Sequence, residues 1–151
     1  MESPMPQDVA LDVLMAELYG VISGPAGTPR DWDRFLGLFH PEQGRLAAVM
    51  HPAEGPPKVF AMTPEKYRQN AEALFAKQGF YEQEIARRVE RFGAIAHVFS
   101  TYESRHEPEA EPFARGINSL QLVWDGDRWL IMAILWDQEI PESPIPDRYL
   151  P

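Results

Sequence analysis

The chain contains no cysteine. That absence excludes disulfide staples, thiol nucleophiles and thiolate metal sites. Positive charge is scarce: 14 lysines and arginines face 23 aspartates and glutamates, a net charge of −9. Such a balance repels phosphate backbones and anionic lipid, so neither nucleic acid nor a membrane is expected as a partner. No apolar run approaches the roughly 20 residues of a membrane-spanning helix. Met1-Glu2-Ser3-Pro4 has no basic n-region and no apolar h-region, so no secretory signal is expected, and a cytoplasmic location is the expectation. Histidine is thin as well. His40, His51, His97 and His106 show no metal-ligand spacing, and no metal is expected. There is no P-loop, no dinucleotide fingerprint and no nucleophile elbow, so no cofactor is expected either.

What remains is an ordinary globular composition, 44% hydrophobic, too apolar for a disordered chain. At 151 residues it suits one domain, over 1–140, followed by a proline-rich tail over 141–151. Asp8–Ser23 carries an apolar stripe, Leu11, Leu14, Leu18 and Val21, widened by Met15, Tyr19 and Ile22, and reads as a first helix. Thr28-Pro29-Arg30-Asp31 then reads as the cap of a second helix, with Trp32, Phe35, Leu36 and Phe39 inward. Arg45–His51 is a short strand closed by Pro52, and Val59–Met62 a minor strand. Thr63-Pro64-Glu65 caps a third helix, with Tyr67, Ala71, Leu74 and Phe75 on one face and Gly79 as its C′ residue.

From Phe80 the hydrophobic period shifts toward 2. Phe80–Arg91 alternates imperfectly, which predicts a bulge, and its Glu82, Glu84, Glu90, Arg87, Arg88 and Arg91 read as a solvated mixed-charge strand. Ala94–Arg105 is a cleaner strand. His97 within it reads as a satisfied structural histidine, and Glu107, Glu109 and Glu111 as a solvated loop. Pro112–Asp125 and Asp127–Ile140 form a hairpin about Asp125-Gly126, a strong type I′ signal. A two-residue turn would set Leu122 against Trp129, Leu120 against Ile131 and Asn118 against Ala133. Ile117, Ser119, Gln121, Leu130, Met132 and Ile134 would then share the other face. Asp137 is expected to tie to Arg115 across the hairpin. The tail holds four prolines in eleven residues, so it is expected to be extended, either disordered or draped on a neighbour.

Three segments carry a family resemblance: Arg30–Phe39, Ile95–Glu103, and the hairpin from Gly116 through Gly126-Asp127-Arg128-Trp129 to Trp136-Asp137. With the element order, they resemble the nuclear transport factor 2-like superfamily, including its SnoaL-like and ketosteroid isomerase-like branches. The resemblance implies an α+β fold: a cone-shaped barrel of a strongly curved, mainly antiparallel sheet wrapped around three N-terminal helices. It also implies a pocket between helices and sheet, and homodimers through the other sheet face. Members include isomerases, dehydratases, epoxide hydrolases, polyketide cyclases and non-catalytic binders, so a fold of this kind leaves the reaction open.

Laid beside the ketosteroid isomerase branch, Tyr19 stands where that branch has its first-helix tyrosine. His51, before Pro52, stands at its base, and Asn118 at its second acid. The resemblance therefore implies proton transfer with His51 as base and Tyr19 and Asn118 as donors to an enolate-like oxygen. The competing reading makes all three ordinary packed or strand-end residues. Trp32, Phe35, Phe39, Tyr67, Ser100, Tyr102 and Trp129 are the expected pocket lining, suited to a small hydrophobic molecule with a few oxygens. Three functional classes stand at this point: a binder of such a molecule, a cofactor-independent isomerase- or dehydratase-like enzyme, and a homodimeric interaction module.

Overall fold

A computed structural model describes residues 5–151, so the Met1–Pro4 segment, read above for a signal, lies outside the described residues. The element order is α1 (Gln7–Ile22), α2 (Trp32–Gly37), β1 (Arg45–Met50), β2 (Lys58–Met62), α3 (Pro64–Phe75), β3 (Tyr81–Phe92), β4 (Ile95–Arg105), β5 (Ala114–Trp124) and β6 (Trp129–Gln138). The six strands make one sheet in the order β2-β1-β6-β5-β4-β3. Pairing is antiparallel except between β1 and β6, which run parallel with Leu46 beside Ile134 and Ala48 beside Trp136. The α+β class is as the sequence implied. The sheet stays open, with β2 and β3 as its two edges, and does not close into a barrel. Among the described residues, no helix is long and apolar enough to cross a membrane.

The helices cover one face of the sheet. Leu11, Leu14, Met15, Leu18 and Ile22 of α1 pack with Phe35, Leu38 and Phe39 against Val98, Leu120, Leu122, Trp129, Ile131 and Ile134. Burial of this stripe, more than helix propensity, is what holds a helix of this length. The end of α1 is closed from a distance. The Arg30 guanidinium, 8% exposed, donates to the carbonyls of Ile22, Gly24, Pro25 and Thr28 at 2.7–3.2 Å and lies over the Phe75 ring at 4.6 Å. One planar fork thus satisfies carbonyls that the helix end and following loop would otherwise leave unpaired.

Several local expectations change. The cap of α2 is Asp31, whose carboxylate accepts from Arg34 N at 3.1 Å, because Thr28 is three residues upstream in the loop that Arg30 organises. Thr63 caps α3 as expected, accepting from Lys66 N at 3.1 Å. Leu74 is 48% exposed and does not share the buried face of Phe75. Gly79 is no helix cap: α3 ends before it, and a Cβ there would stand 2.3 Å from the His106 carbonyl, so glycine serves a close backbone approach.

The hairpin differs most. Trp124 pairs with Trp129, leaving a four-residue connection in which Asp125 Oδ1 accepts from the N–H groups of Asp127 and Arg128, each at 2.9 Å. Only Gly126 in the turn has positive φ, so the type I′ geometry is absent. Beyond Leu122–Ile131 the register slips at Met132, and Gln121 pairs with Ala133, Leu120 with Ile134 and Asn118 with Trp136. The bulge switches which β6 residues face inward. Ile134 enters the core at 5% exposure, where a uniform ladder would have left it outside. A second bulge, between Glu84 and Ala86, is the one β3's imperfect alternation predicted.

The tail drapes over its own sheet. Ile145 is buried, Tyr149 O accepts from Thr101 Oγ1 at 2.7 Å, and the Tyr149 ring meets Phe99 edge-on at 5.2 Å. The tail leaves its extended path twice: at a turn over 141–142, where Ser143 N donates to Ile140 O at 2.9 Å, and in the single 3₁₀ turn Asp147–Tyr149.

Candidate functional site

Between the helices and the sheet lies a cavity of about 170 Å³. Leu18, Tyr19 and Ile22 from α1, Phe35 from α2 and Tyr67 from α3 form its roof. Its floor is Glu82 of β3, Tyr102 and Ser104 of β4, Asn118 of β5, and Ile134, Trp136 and Gln138 of β6. Phe80 and Phe113 flank it, and Phe113 and Gln138 are exposed, which places the mouth at the start of β5 and the end of β6. Aromatic stacking stiffens the wall: Phe35 on Tyr67 at 5.1 Å, Phe75 on Phe80 at 4.9 Å, and Tyr67 edge-on to Trp136 at 6.3 Å.

Strand geometry aims the polar groups. Asn118 pairs with Ser100 and with Trp136, and Glu82 pairs with Ser104, so all of these share the helix-facing side. Gly116 is opposite Tyr102. A Cβ there would sit 2.5 Å from the Tyr102 hydroxyl and 2.4 Å from Asp137 O, so the missing side chain is what lets Tyr102 lie across β5. Ser23 locks the seam between α1 and β3. Its hydroxyl donates to Tyr19 O at 2.7 Å and accepts from Glu82 N at 3.0 Å. The backbone of Glu82 is thus fixed to the helix that carries Tyr19.

Glu82 is the central group. Burial in this largely apolar cavity lifts its carboxyl from an ordinary 4.5 to about 8, against the opposing pull of the Asn118 amide, which favours the charged form. Burial comes first in raising Tyr19, Tyr67 and Tyr102 too, and the neighbouring Glu82 charge adds to each. The three phenols therefore keep their protons across the physiological range. Tyr19 and Glu82 also border an outer groove between α1 and β3, lined in addition by Arg87 and Arg105.

Of the residues proposed from sequence, Tyr19 and Asn118 do meet: Asn118 Nδ2 donates to Tyr19 Oη at 3.0 Å. His51 does not reach the cavity. Its Nε2 lies 2.6 Å from Asp137 Oδ1, and Asp137 pairs with Ile117 on the opposite face from Asn118. Arg115, expected on Asp137, instead pairs with Glu139 at 3.1 Å. Phe35, Tyr67 and Tyr102 line the cavity. Ser100 stands behind Tyr19, fully buried, and reaches the cavity only through it. Trp32 stacks on Phe75, Phe39 bridges to Ile131, and Trp129 is core, its Nε1 donating to Gln7 O at 3.0 Å; none of the three lines the cavity. His97 is exposed and 2.9 Å from Glu90.

Sequence alone does not single out Glu82, because it sits in a run of alternating charges that reads as solvated. The signal was the alternation itself: Phe80, Glu82 and Glu84 share a parity, and the apolar Phe80 marks that face as covered.

No protein-family model matches the chain, and neither does any curated protein. Solved structures do. A protein of unknown function with a cystatin-like fold from Nostoc punctiforme is 14% identical, with a TM-score of 0.67 over 95% of this chain and 98% of that one. A candidate scytalone dehydratase from Novosphingobium aromaticivorans is 14% identical, with a TM-score of 0.67 over 88% and 84%. A candidate dehydratase of the nuclear transport factor 2-like family from Streptomyces avermitilis is 13% identical, with a TM-score of 0.63 over 87% and 95%. At these identities the likeness is one of fold. Helices on one face of an open, mainly antiparallel sheet, with a cavity between the layers, make this chain a protein of the nuclear transport factor 2-like fold.

Proposed function

We propose that the cavity binds a compact, mostly apolar molecule bearing one or two oxygens, and that Glu82 moves a proton on it without a cofactor. The observation that carries this reading is a single carboxyl set into an aromatic-lined cavity with tyrosine hydroxyls and an amide around it. An apolar cavity of roughly 150 Å³ is enough to hold benzene, so about 170 Å³ suits a molecule on the scale of one substituted ring. Below about pH 8 the Glu82 carboxyl is neutral and can donate to a substrate oxygen; once it has given up its proton, it can take one back. That chemistry is isomerase- or dehydratase-like, and two of the structural neighbours are candidate dehydratases. Glu82 takes the role that the family resemblance would have given His51.

The test begins with a thermal-shift screen of small cyclic enones and β-hydroxyketones. Those that stabilise the protein are followed by NMR for water loss or for deuterium exchange at carbon. The E82Q variant should bind the same compounds and lose turnover by about 10²-fold or more, and wild-type kcat/KM should fall as pH rises past about 8. Turnover that survives E82Q sinks the catalytic reading. Binding without turnover in the wild type leaves a binding protein.

A second reading is a homodimer through the outer sheet face. It is supported by Phe99 at 38%, Leu135 at 45% and Ile95 at 60% exposure beside the draped tail. Light scattering tests it: a mass near 34 kDa, twice 17.2 kDa, supports the dimer, and a monomeric mass at micromolar concentration overturns it.

A further inference from the structure

Ser100 and Glu84 lie outside the cavity, yet a continuous hydrogen-bonded column runs from them to its floor. Its direction follows from counting protons. Glu84 is gripped by Arg87, whose Nε donates to its two oxygens at 2.9 and 3.1 Å and whose Nη2 approaches Oε1 at 2.7 Å. Arg87 also donates to Asp12 at 2.6 Å. A carboxylate so held only accepts, so the Ser100 hydroxyl donates to Glu84 Oε2, at 2.5 Å. Ser100 has one proton, and it is spent. In the 2.6 Å contact with Tyr19 it must therefore accept, and Tyr19 must donate. The Tyr19 oxygen is left as an acceptor, which fixes the nitrogen side of the Asn118 amide toward it, at 3.0 Å. Nitrogen carries a second proton, left for the cavity floor that Asn118 shares with Glu82, where the amide favours the charged form of that carboxyl.

We infer that Ser100 and Glu84 are positioning residues for the Glu82 site, acting through the Tyr19 hydroxyl to hold the Asn118 amide with its N–H groups, and not its carbonyl, toward Glu82. The inference rests on Glu82 being the working group. It has a consequence for ligands: the Tyr19 proton points away from the cavity, so Tyr19 is no donor to a bound oxygen. That task falls to the Glu82 carboxyl and the Tyr67 and Tyr102 hydroxyls.

Without Ser100 the Tyr19 proton is released and can be given to the Asn118 carbonyl, which lets the amide rotate by half a turn. A carbonyl oxygen then faces Glu82 and disfavours its carboxylate. The titratable groups around Glu82 are Tyr19 from α1, Tyr67 from α3, Tyr81, Glu84 and Arg87 on β3, Tyr102 and Arg105 on β4, with His106 stacked on Phe113 at the mouth.

The experiment needs no ligand. Carbon-detected NMR of ¹³C-labelled glutamate side chains gives the Glu82 titration midpoint, assigned by the signal that E82Q removes. S100A and Y19F should each move the midpoint up by about one pH unit, a tenfold change in proton affinity, and S100T should restore it. A purely structural role for Ser100 would lower thermal stability and leave the midpoint in place, and that result overturns the inference. If S100A does not fold, Y19F alone decides. Should wild-type Glu82 titrate near 4.5, the proposed function fails, independently of what the variants do.

Discussion

Two ionisable side chains, Glu82 and Arg30, are drawn away from bulk water by the packing around α1, with opposite outcomes for charge. Unfolded, Glu82 titrates near 4.5; folded, near 8. The folded protein therefore keeps a proton that the unfolded chain gives up, so this group costs stability as pH rises from 4.5 and the cost levels off above 8. E82Q should match wild type at pH 4 and exceed it at pH 9 by roughly 2–4 kcal/mol, read from urea unfolding at the two pH values; equal stability at both would mean that Glu82 is solvated. Arg30 is the converse case, since its charge is matched by four carbonyls. Arg30→Lys keeps the charge but not the fork, and should lose about 2–3 kcal/mol; a loss below about 0.5 kcal/mol would show that charge alone suffices.

At the level of elements, strand parity decides which residues see the cavity. The β3 bulge lets Glu82, Glu84 and Arg87 all face the helices, because Glu84 pairs with Tyr102 and, one extra residue later, Arg87 pairs with Ser100. The β6 bulge brings Ile134 and Trp136 inward beside Asn118. Gly116→Ala should push Tyr102 off β5, lowering the melting temperature and weakening any cavity ligand together, since its Cβ would meet backbone as well as the phenol. Thr63→Ala is the control outside the site. It removes a cap worth about 1 kcal/mol and should leave cavity binding unchanged.

Across the whole molecule, the outer sheet face is shared between the tail and solvent. Thr101 faces outward beside Ile117, yet is 1% exposed because the tail covers it. Deleting 141–151 uncovers it and releases Ile145, a loss of about 1.5–3 kcal/mol for that side chain. The truncated chain should unfold at lower urea and bind more of an apolar dye; an unchanged midpoint would mean that the tail adds nothing to the fold.

The sequence by itself determined the elements. Apolar stripes at helical and strand spacing, a Thr-Pro cap and a Gly-bearing turn are local signals, and they set helix, strand and connection without reference to distant residues. They also carried Tyr19 and Asn118, whose element assignments needed no partner. Only the tertiary structure decided the site. Registers are set by bulges that depend on how β5 meets β6 and how β3 meets β4, and each one-residue slip exchanges inside for outside. That slip placed Ile134 within, and the same dependence on face left His51 with Asp137 on the far side. Glu82 follows the same logic: its charge reads as solvent-seeking until α1 packs against β3 and leaves it only partly exposed beside the cavity.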